Sequence, residues 1–268
     1  YDDTMLEAAI KYKTIVDEFD DAIKAGEFKM YLQPQISAKT RRLTGAEALV
    51  RRIKPDGTII SPIDFIAVYE KSGLISRLDR YIWEQAAAKL GEWKKAGINM
   101  SISVNISPRD FYYIDIFNAF VGLVKKYDIE PSNLKIEITE TTIMSDVPNL
   151  TGELEKLRKA GFTIEMDDFG SGYSSLNTLK DINVDVLKVD MGFIKETKNV
   201  KKSRIILASV IKMAKELNLL IITEGVETEE QVDNLTKLGC DTFQGYYFSK
   251  PIDVNEFEKR YLYRKKAG

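Results

Sequence analysis

Apolar residues recur along this chain in two alternating rhythms. Short apolar runs, some with every second position polar, are separated by longer stretches whose apolar residues return at three- and four-residue spacing. The first rhythm is that of a strand and the second that of a helix. Strands are expected at residues 28–33, 43–50, 100–106, 134–139, 163–166, 186–189, 220–223 and 242–245. Helices are expected at residues 74–96, 111–127, 150–160, 203–217 and 229–238. Ser61-Pro62 and Ser107-Pro108 each read as an N-cap followed by proline at the first helical position. Thr228 with Gln231 makes a capping box, and Gly97, Gly161 and Gly239 stand as helix stops. This alternation predicts parallel βα units, and eight such strands predict a closed α/β barrel. Ahead of them, Leu6, Ala9, Val16, Phe19 and Ile23 fall at helical spacing, so residues 1–26 are expected to form an amphipathic helix ended by Gly26. A helix packed on the domain and a linker from an upstream segment are equally open readings of it.

Two strands break the pattern of a barrel wall. Parallel strands covered on both faces normally read as unbroken apolar runs. Residues 101–106 and 135–139 instead alternate polar with apolar. With the isoleucines and Val104 facing the helices, Ser103, Asn105, Lys135, Glu137 and Thr139 line the interior. That arrangement is costly unless the interior is wet or binds ions.

The polar residues at the strand ends are Glu47, Asn105, Glu137, Asp167 with Asp168, Lys188, Glu224 and Gln244. A βα barrel brings those ends to one face. Taken singly, each has an ordinary structural explanation: Asp168 can cap a solvated turn, and Lys188 can be a surface lysine. Together, so many carboxylates around one mouth repel unless cations compensate. An oxygen donor set fits Mg²⁺ or Mn²⁺, and two ions sharing Asp167 suit in-line displacement at a phosphodiester. Glu47, Asn105, Glu137 and Asp167 are candidates for one ion, and Asp167, Asp168 and Glu224 for the other. Lys188 is the candidate to position the attacking water or offset charge. The following Phe169-Gly170-Ser171-Gly172-Tyr173 reads as a turn at the barrel mouth, since no G-x-x-x-x-G-K accompanies it.

Composition narrows the chemistry further. The 268 residues include no histidine, which removes Ser-His-Asp hydrolysis, HExxH zinc sites and histidine-based phosphodiesterase centres. The one cysteine, Cys240, excludes an internal disulfide and a Cys-rich zinc site. A net charge of -2 argues against a partner that is a nucleic-acid polymer. With no run of eighteen apolar residues and no signal-peptide pattern, the segment is expected to be soluble and cytoplasmic, with membrane attachment of a full-length protein left open.

In combination these residues resemble the EAL-domain cyclic di-GMP phosphodiesterases, whose name-giving tripeptide stands here as Glu47-Ala48-Leu49. The resemblance runs from about Glu27 to Tyr261. It rests on Gln33-Pro34, Glu47-Ala48-Leu49-Val50-Arg51, Val104-Asn105-Ile106-Ser107, Glu137-Ile138-Thr139-Glu140, Asp167-Asp168-Phe169-Gly170, Leu187-Lys188-Val189-Asp190, Glu224-Gly225-Val226-Glu227 and Gln244-Gly245-Tyr246. It implies a modified (β/α)₈ barrel of TIM type with an antiparallel first strand. It also implies hydrolysis of cyclic di-GMP to linear pGpG with two ions of Mg²⁺ or Mn²⁺. Position by position, Glu47, Asn105, Glu137, Asp167, Asp168 and Glu224 match metal ligands, with Glu47, Lys188 and Glu224 the catalytic set. Gln33, Leu49, Arg51 and Gln244 match substrate contacts, and Glu227 a further acidic residue near the site. Glu140 matches the residue holding a regulatory loop, here Phe169, Gly170, Ser171, Gly172 and Tyr173, associated with homodimerisation. Arg52 departs from a common tryptophan. Residues 1–26 look like the junction from an upstream GGDEF-type domain, with the phosphodiesterase domain at 27–268. A catalytically silent cyclic di-GMP receptor is the alternative, and a barrel enzyme acting on another phosphate ester or a sugar is a remoter one.

Overall fold

The computed structural model describes residues 3–145, 147–169, 179, 182–192 and 200–263. Its strands are β1 (Phe28–Ser37), β2 (Leu43–Ile53), β3 (Ile59–Ile60), β4 (Ile102–Asn105), β5 (Leu134–Thr139), β6 (Ile164–Asp167), β7 (Val186–Asp190), β8 (Leu220–Glu224), β9 (Thr242–Phe243) and β10 (Ile252–Asp253). From β2 through β4 to β9 each strand pairs in parallel with the next, skipping β3. β1 closes the ring by running antiparallel to both β2 and β9. Of the two short strands, β3 pairs with the end of β2 and β10 with Tyr31 and Leu32 of β1. The expected modified barrel with its antiparallel first strand is therefore the fold of the chain.

The helices are α1 (Asp3–Asp17), α2 (Phe19–Lys24), α3 (Pro62–Ser72), α4 (Ile75–Lys95), α5 (Asp110–Tyr113), α6 (Ile116–Tyr127), α7 (Glu140–Met144), α8 (Leu150–Lys159), α9 (Val200–Glu216), α10 (Glu229–Leu238) and α11 (Val254–Phe257). Local chemistry explains the ones the sequence reads well. Thr228 and Gln231 make the reciprocal capping box of α10, and Gly239 ends that helix in the left-handed conformation. Three expectations are corrected. The helix over residues 111–127 is two, because the Asp115 carboxylate takes the Asn118 N–H and starts α6 afresh. Ser107-Pro108 starts no helix; the Ser107 N–H donates instead to the Asp110 carboxylate at 2.8 Å. The N-terminal helix is divided at Glu18, whose carboxylate pairs with the buried Arg52 at 2.8 Å.

The main core lies between the barrel wall and the outer helices, where Trp83, Trp93, Phe120, Phe162 and the strand isoleucines and leucines are buried. A second cluster of Phe19, Phe28, Phe65 and Tyr69 packs α2 and α3 against the start of β1. Arg52 lies over the Phe28 ring and also pairs with Glu27 at 2.8 Å, which explains how a cation is accommodated there. Among the described residues, no helix is long and apolar enough to cross a membrane.

Candidate active site

Because side chains alternate along a strand, the polar positions of β4 and β5 turn away from the helices while Val104, Ile136 and Ile138 enter the core. Ser103 and Glu137 are fully buried. The deeper layer is neutralised within itself: Glu165 accepts from Ser103 at 2.7 Å and pairs with Lys135 at 2.9 Å. Thr139, by contrast, caps α7 through the Thr142 N–H.

Above that layer sits Lys188 of β7, with no solvent exposure. Its ammonium pairs with Glu137, with Glu224 at 2.9 Å, with Glu47 at 3.3 Å and with Asp167 at 3.5 Å. One cation faces four carboxylates, so the cluster carries a negative excess. Burial alone pulls the Lys188 pKa down, but the four carboxylates, led by Asp167, push it well above the ordinary lysine value. Burial and the neighbouring carboxylates push Glu137 and Glu224 well above the ordinary glutamate value, against the pull of Lys188. Burial also opposes ionisation of Asp167, yet Lys188 and the surrounding hydrogen bonds hold its pKa below the ordinary value.

Of the buried acceptors in this cluster, Glu137 Oε2 has no hydrogen-bond partner, and Asp167 Oδ1 has only the long ion pair with Lys188 at 3.5 Å. Such oxygens, an all-oxygen donor set and excess negative charge fit a hard divalent cation. As they stand the carboxylates gather on the ammonium, and no three acidic side chains among the described residues are spaced to hold one ion.

The other sequence candidates are arranged around this centre. Asn105 lies 3.5 Å from Glu47 through its amide, and its backbone carbonyl accepts from the Trp83 indole at 2.9 Å. Gln33 and Gln244 are buried and hydrogen-bonded to each other, and Gln244 also donates to Glu47. Glu47 itself lies within β2 rather than at its end, because β2 continues to Ile53 in antiparallel pairing with β1. Asp168 does not join the cluster: it adopts a positive φ of 55° and is exposed beyond the strand tip. Burial and the Asp167 charge raise its pKa. Glu140 is fully buried at the first position of α7, and Phe169 is buried next to Lys188 in the chain packing, its N–H donating to the Lys188 carbonyl at 3.3 Å. Gly170, Ser171, Gly172 and Tyr173 lie outside the described residues.

Two cavities open beside the centre. The smaller, of about 410 Å³, is lined by Gln33, Glu47, Asp167, Glu224, Glu227 and Gln244, together with Leu49 and Asp190. The larger, of about 690 Å³, meets it at Leu49 and holds Arg51 beside apolar Ile66, Ile82 and Trp83. Arg51 lies over the Tyr31 ring, and burial lowers its pKa from the ordinary arginine value. Sequence reasoning missed Asp79, which lines this second cavity, and the buried Asp110 near it. Burial raises both, Asp79 well above the ordinary aspartate value and Asp110 to about 6, and the nearby Asp110 charge adds to the rise of Asp79. Nothing in the local sequence joins these two, since they lie on different helices and meet only in the fold.

A barrel with an antiparallel first strand and a carboxylate-lysine centre at its mouth defines the structural class. The chain belongs to the EAL domain family, whose model matches residues 16–251. It is 38% identical over 239 residues to the signaling protein YkoW of Bacillus subtilis, covering 89% of this chain and 30% of that protein. To the cyclic di-GMP phosphodiesterase PdeR of Escherichia coli it is 31% identical over 263 residues, covering 97% of this chain and 40% of that protein. The chain thus spans less than half the length of these relatives. Among solved structures, that of the PaMucR phosphodiesterase in complex with c-di-GMP matches with a TM-score of 0.85 and 32% identity, covering 91% of this chain and 99% of that one. An EAL domain protein from Listeria monocytogenes matches with a TM-score of 0.76 and 33% identity, covering 92% and 97%.

Proposed function

We propose that this domain hydrolyses one phosphodiester bond of cyclic di-GMP to give linear pGpG, with Mg²⁺ or Mn²⁺ as cofactor. The observation that carries the reading is the convergence of Glu47, Glu137, Asp167 and Glu224 on buried Lys188 beside an open cleft. Relatives named cyclic di-GMP phosphodiesterases and a c-di-GMP complex within the family support the choice of nucleotide.

Glu47, Asn105, Glu137, Asp167, Asp168 and Glu224 would hold the ions. Bound there, the cation would supply Lewis acidity that eases deprotonation of water and offsets phosphate charge. Lys188 keeps a permanent ammonium at the centre, available to orient the attacking water and to balance charge in the transition state. Arg51 offers a planar guanidinium to the substrate, for which phosphate oxygens are natural partners. Leu49 and the apolar wall with Trp83 offer the larger cavity an apolar surface on which a nucleotide base could pack. Gln33, Gln244 and Glu227 present polar edges across the smaller cleft.

Chromatography of cyclic di-GMP incubated with Mg²⁺, Mn²⁺ or Ca²⁺ tests the proposal. Conversion to pGpG with the first two and little with Ca²⁺ is expected, as is its loss in Glu47→Ala and Glu224→Ala. Undiminished turnover in either variant removes that residue from the reaction. A second reading is a silent cyclic di-GMP receptor in which Lys188 keeps the carboxylates engaged. Nucleotide binding in Mg²⁺ with no pGpG after long incubation selects that one. The greater length of the relatives supports placing this domain within a longer signalling protein, with residues 1–26 as its connection.

A further inference from the structure

Gln35 stands two residues beyond Gln33 on β1, on the same side of the strand, and is only 1% exposed. Its neighbour across the ladder is Gly45 of β2. A Cβ at Gly45 would lie 2.9 Å from the Gln35 amide oxygen and 2.7 Å from the Ser101 hydroxyl. The missing side chain at Gly45 is what makes room for the Gln35 amide.

The orientation of that amide follows from the contacts of Gln244, whose side-chain nitrogen faces Glu47 and donates to its carboxyl oxygen. The same nitrogen donates to the Gln33 oxygen at 3.2 Å, and Gln33 in turn donates to the Ser249 carbonyl at 3.2 Å. With its nitrogen so committed, Gln244 points its oxygen the other way, into a buried position that requires a donor. Gln35 Nε2 supplies it at 3.2 Å. If Gln244 turned over, its oxygen would face the Glu47 carboxylate and its nitrogen the Gln35 donor, and both contacts would be repulsive.

We propose that Gln35 is a positioning residue for the acidic centre: by donating to the Gln244 oxygen it locks the Gln244 amide with nitrogen toward Glu47, and so holds the Glu47 carboxylate in one orientation for a divalent cation. This rests on the reading above in which Glu47 helps to hold Mg²⁺ or Mn²⁺. Gln35 touches neither substrate nor ion in this scheme and acts only through Gln244. Supporting residues of this kind change metal affinity or activity by about 10- to 100-fold.

Mn²⁺ affinity measured by isothermal titration calorimetry on the whole chain, with circular dichroism melting alongside, tests it. Gln35→Met, similar in length and without donors, is expected to weaken Mn²⁺ binding about tenfold. Gln35→Glu, which puts an acceptor against an acceptor, is expected to weaken it at least as much. The double variant Gln35→Met with Gln244→Met is expected to bind no more weakly than Gln244→Met alone, because the first residue works only through the second. Parental affinity in either single variant, or losses that add in the double variant, overturns the proposal, and the second result would reveal a merely structural role. The titration contains no nucleotide, so it judges Gln35 whether or not cyclic di-GMP is hydrolysed. A parent chain that binds no Mn²⁺ brings down the metal reading and this proposal with it.

Discussion

Lys188 holds a full charge although its side chain is buried, and it does so because Glu47, Glu137, Asp167 and Glu224 surround it. Lys188→Met would strand that acidity in the interior. Removing one partner of a buried ion pair costs about 3–5 kcal/mol. The variant is expected to melt far below the parent in metal-free buffer and to recover more of its melting temperature than the parent does when Mn²⁺ is added, as calorimetry can show. These five residues are legible from sequence because alternation along a strand settles which side chains share a face. Gln35 obeys the same alternation, yet its partner Gln244 lies 209 residues away, so only the fold reveals its task. The conformation of Asp168 is likewise a property of the fold: its positive φ bends the chain at the strand tip and leaves its side chain exposed beside Asp167.

Among the elements, α10 and α4 lie close to their expected bounds because caps and apolar spacing are local properties. The split between α5 and α6 is not legible in apolar spacing, which continues across it; the cap is made by the Asp115 carboxylate, which accepts from the Asn118 backbone N–H at 3.1 Å and from its side-chain amide at 2.8 Å. Asp115→Ala is expected to lower stability by about 1 kcal/mol in urea titration. A larger loss is expected where β9 leads into the loop past Gln244. There the Val226 backbone passes so close to Gly245 that an added Cβ would lie inside van der Waals contact with its nitrogen, carbonyl carbon and oxygen. Since backbone cannot yield as a side-chain tip can, Gly245→Ala is expected to cost about 1–3 kcal/mol and to displace Gln244. A melt together with Mn²⁺ titration reads both effects.

For the whole molecule, acidity has a stability cost that depends on pH. Folding raises Asp110 from the ordinary 3.8 to about 6 and raises Asp79 as well, in both cases chiefly by burial. A carboxyl whose folded pKa exceeds its unfolded one favours the folded state below the unfolded value, near pH 4, and loses that contribution as pH rises through the folded value. Between pH 4 and about 7, metal-free stability measured by denaturant titration is therefore expected to decline through these groups, and Asp110→Asn to flatten the decline. Barrel closure has a consequence for how the chain is made. β1 and β2 are close in sequence and can pair as soon as both exist, but β1 meets its other neighbour only when residues 242–243 arrive. The Gln244 contact to Glu47 spans 197 residues. Contacts so distant in sequence are slow to form, and synthesis runs from the N-terminus. A ribosome would thus release nearly the whole acidic half of the centre before the strand that completes its wall, leaving shortened translation products without a finished site and making activity a late property of the nascent chain.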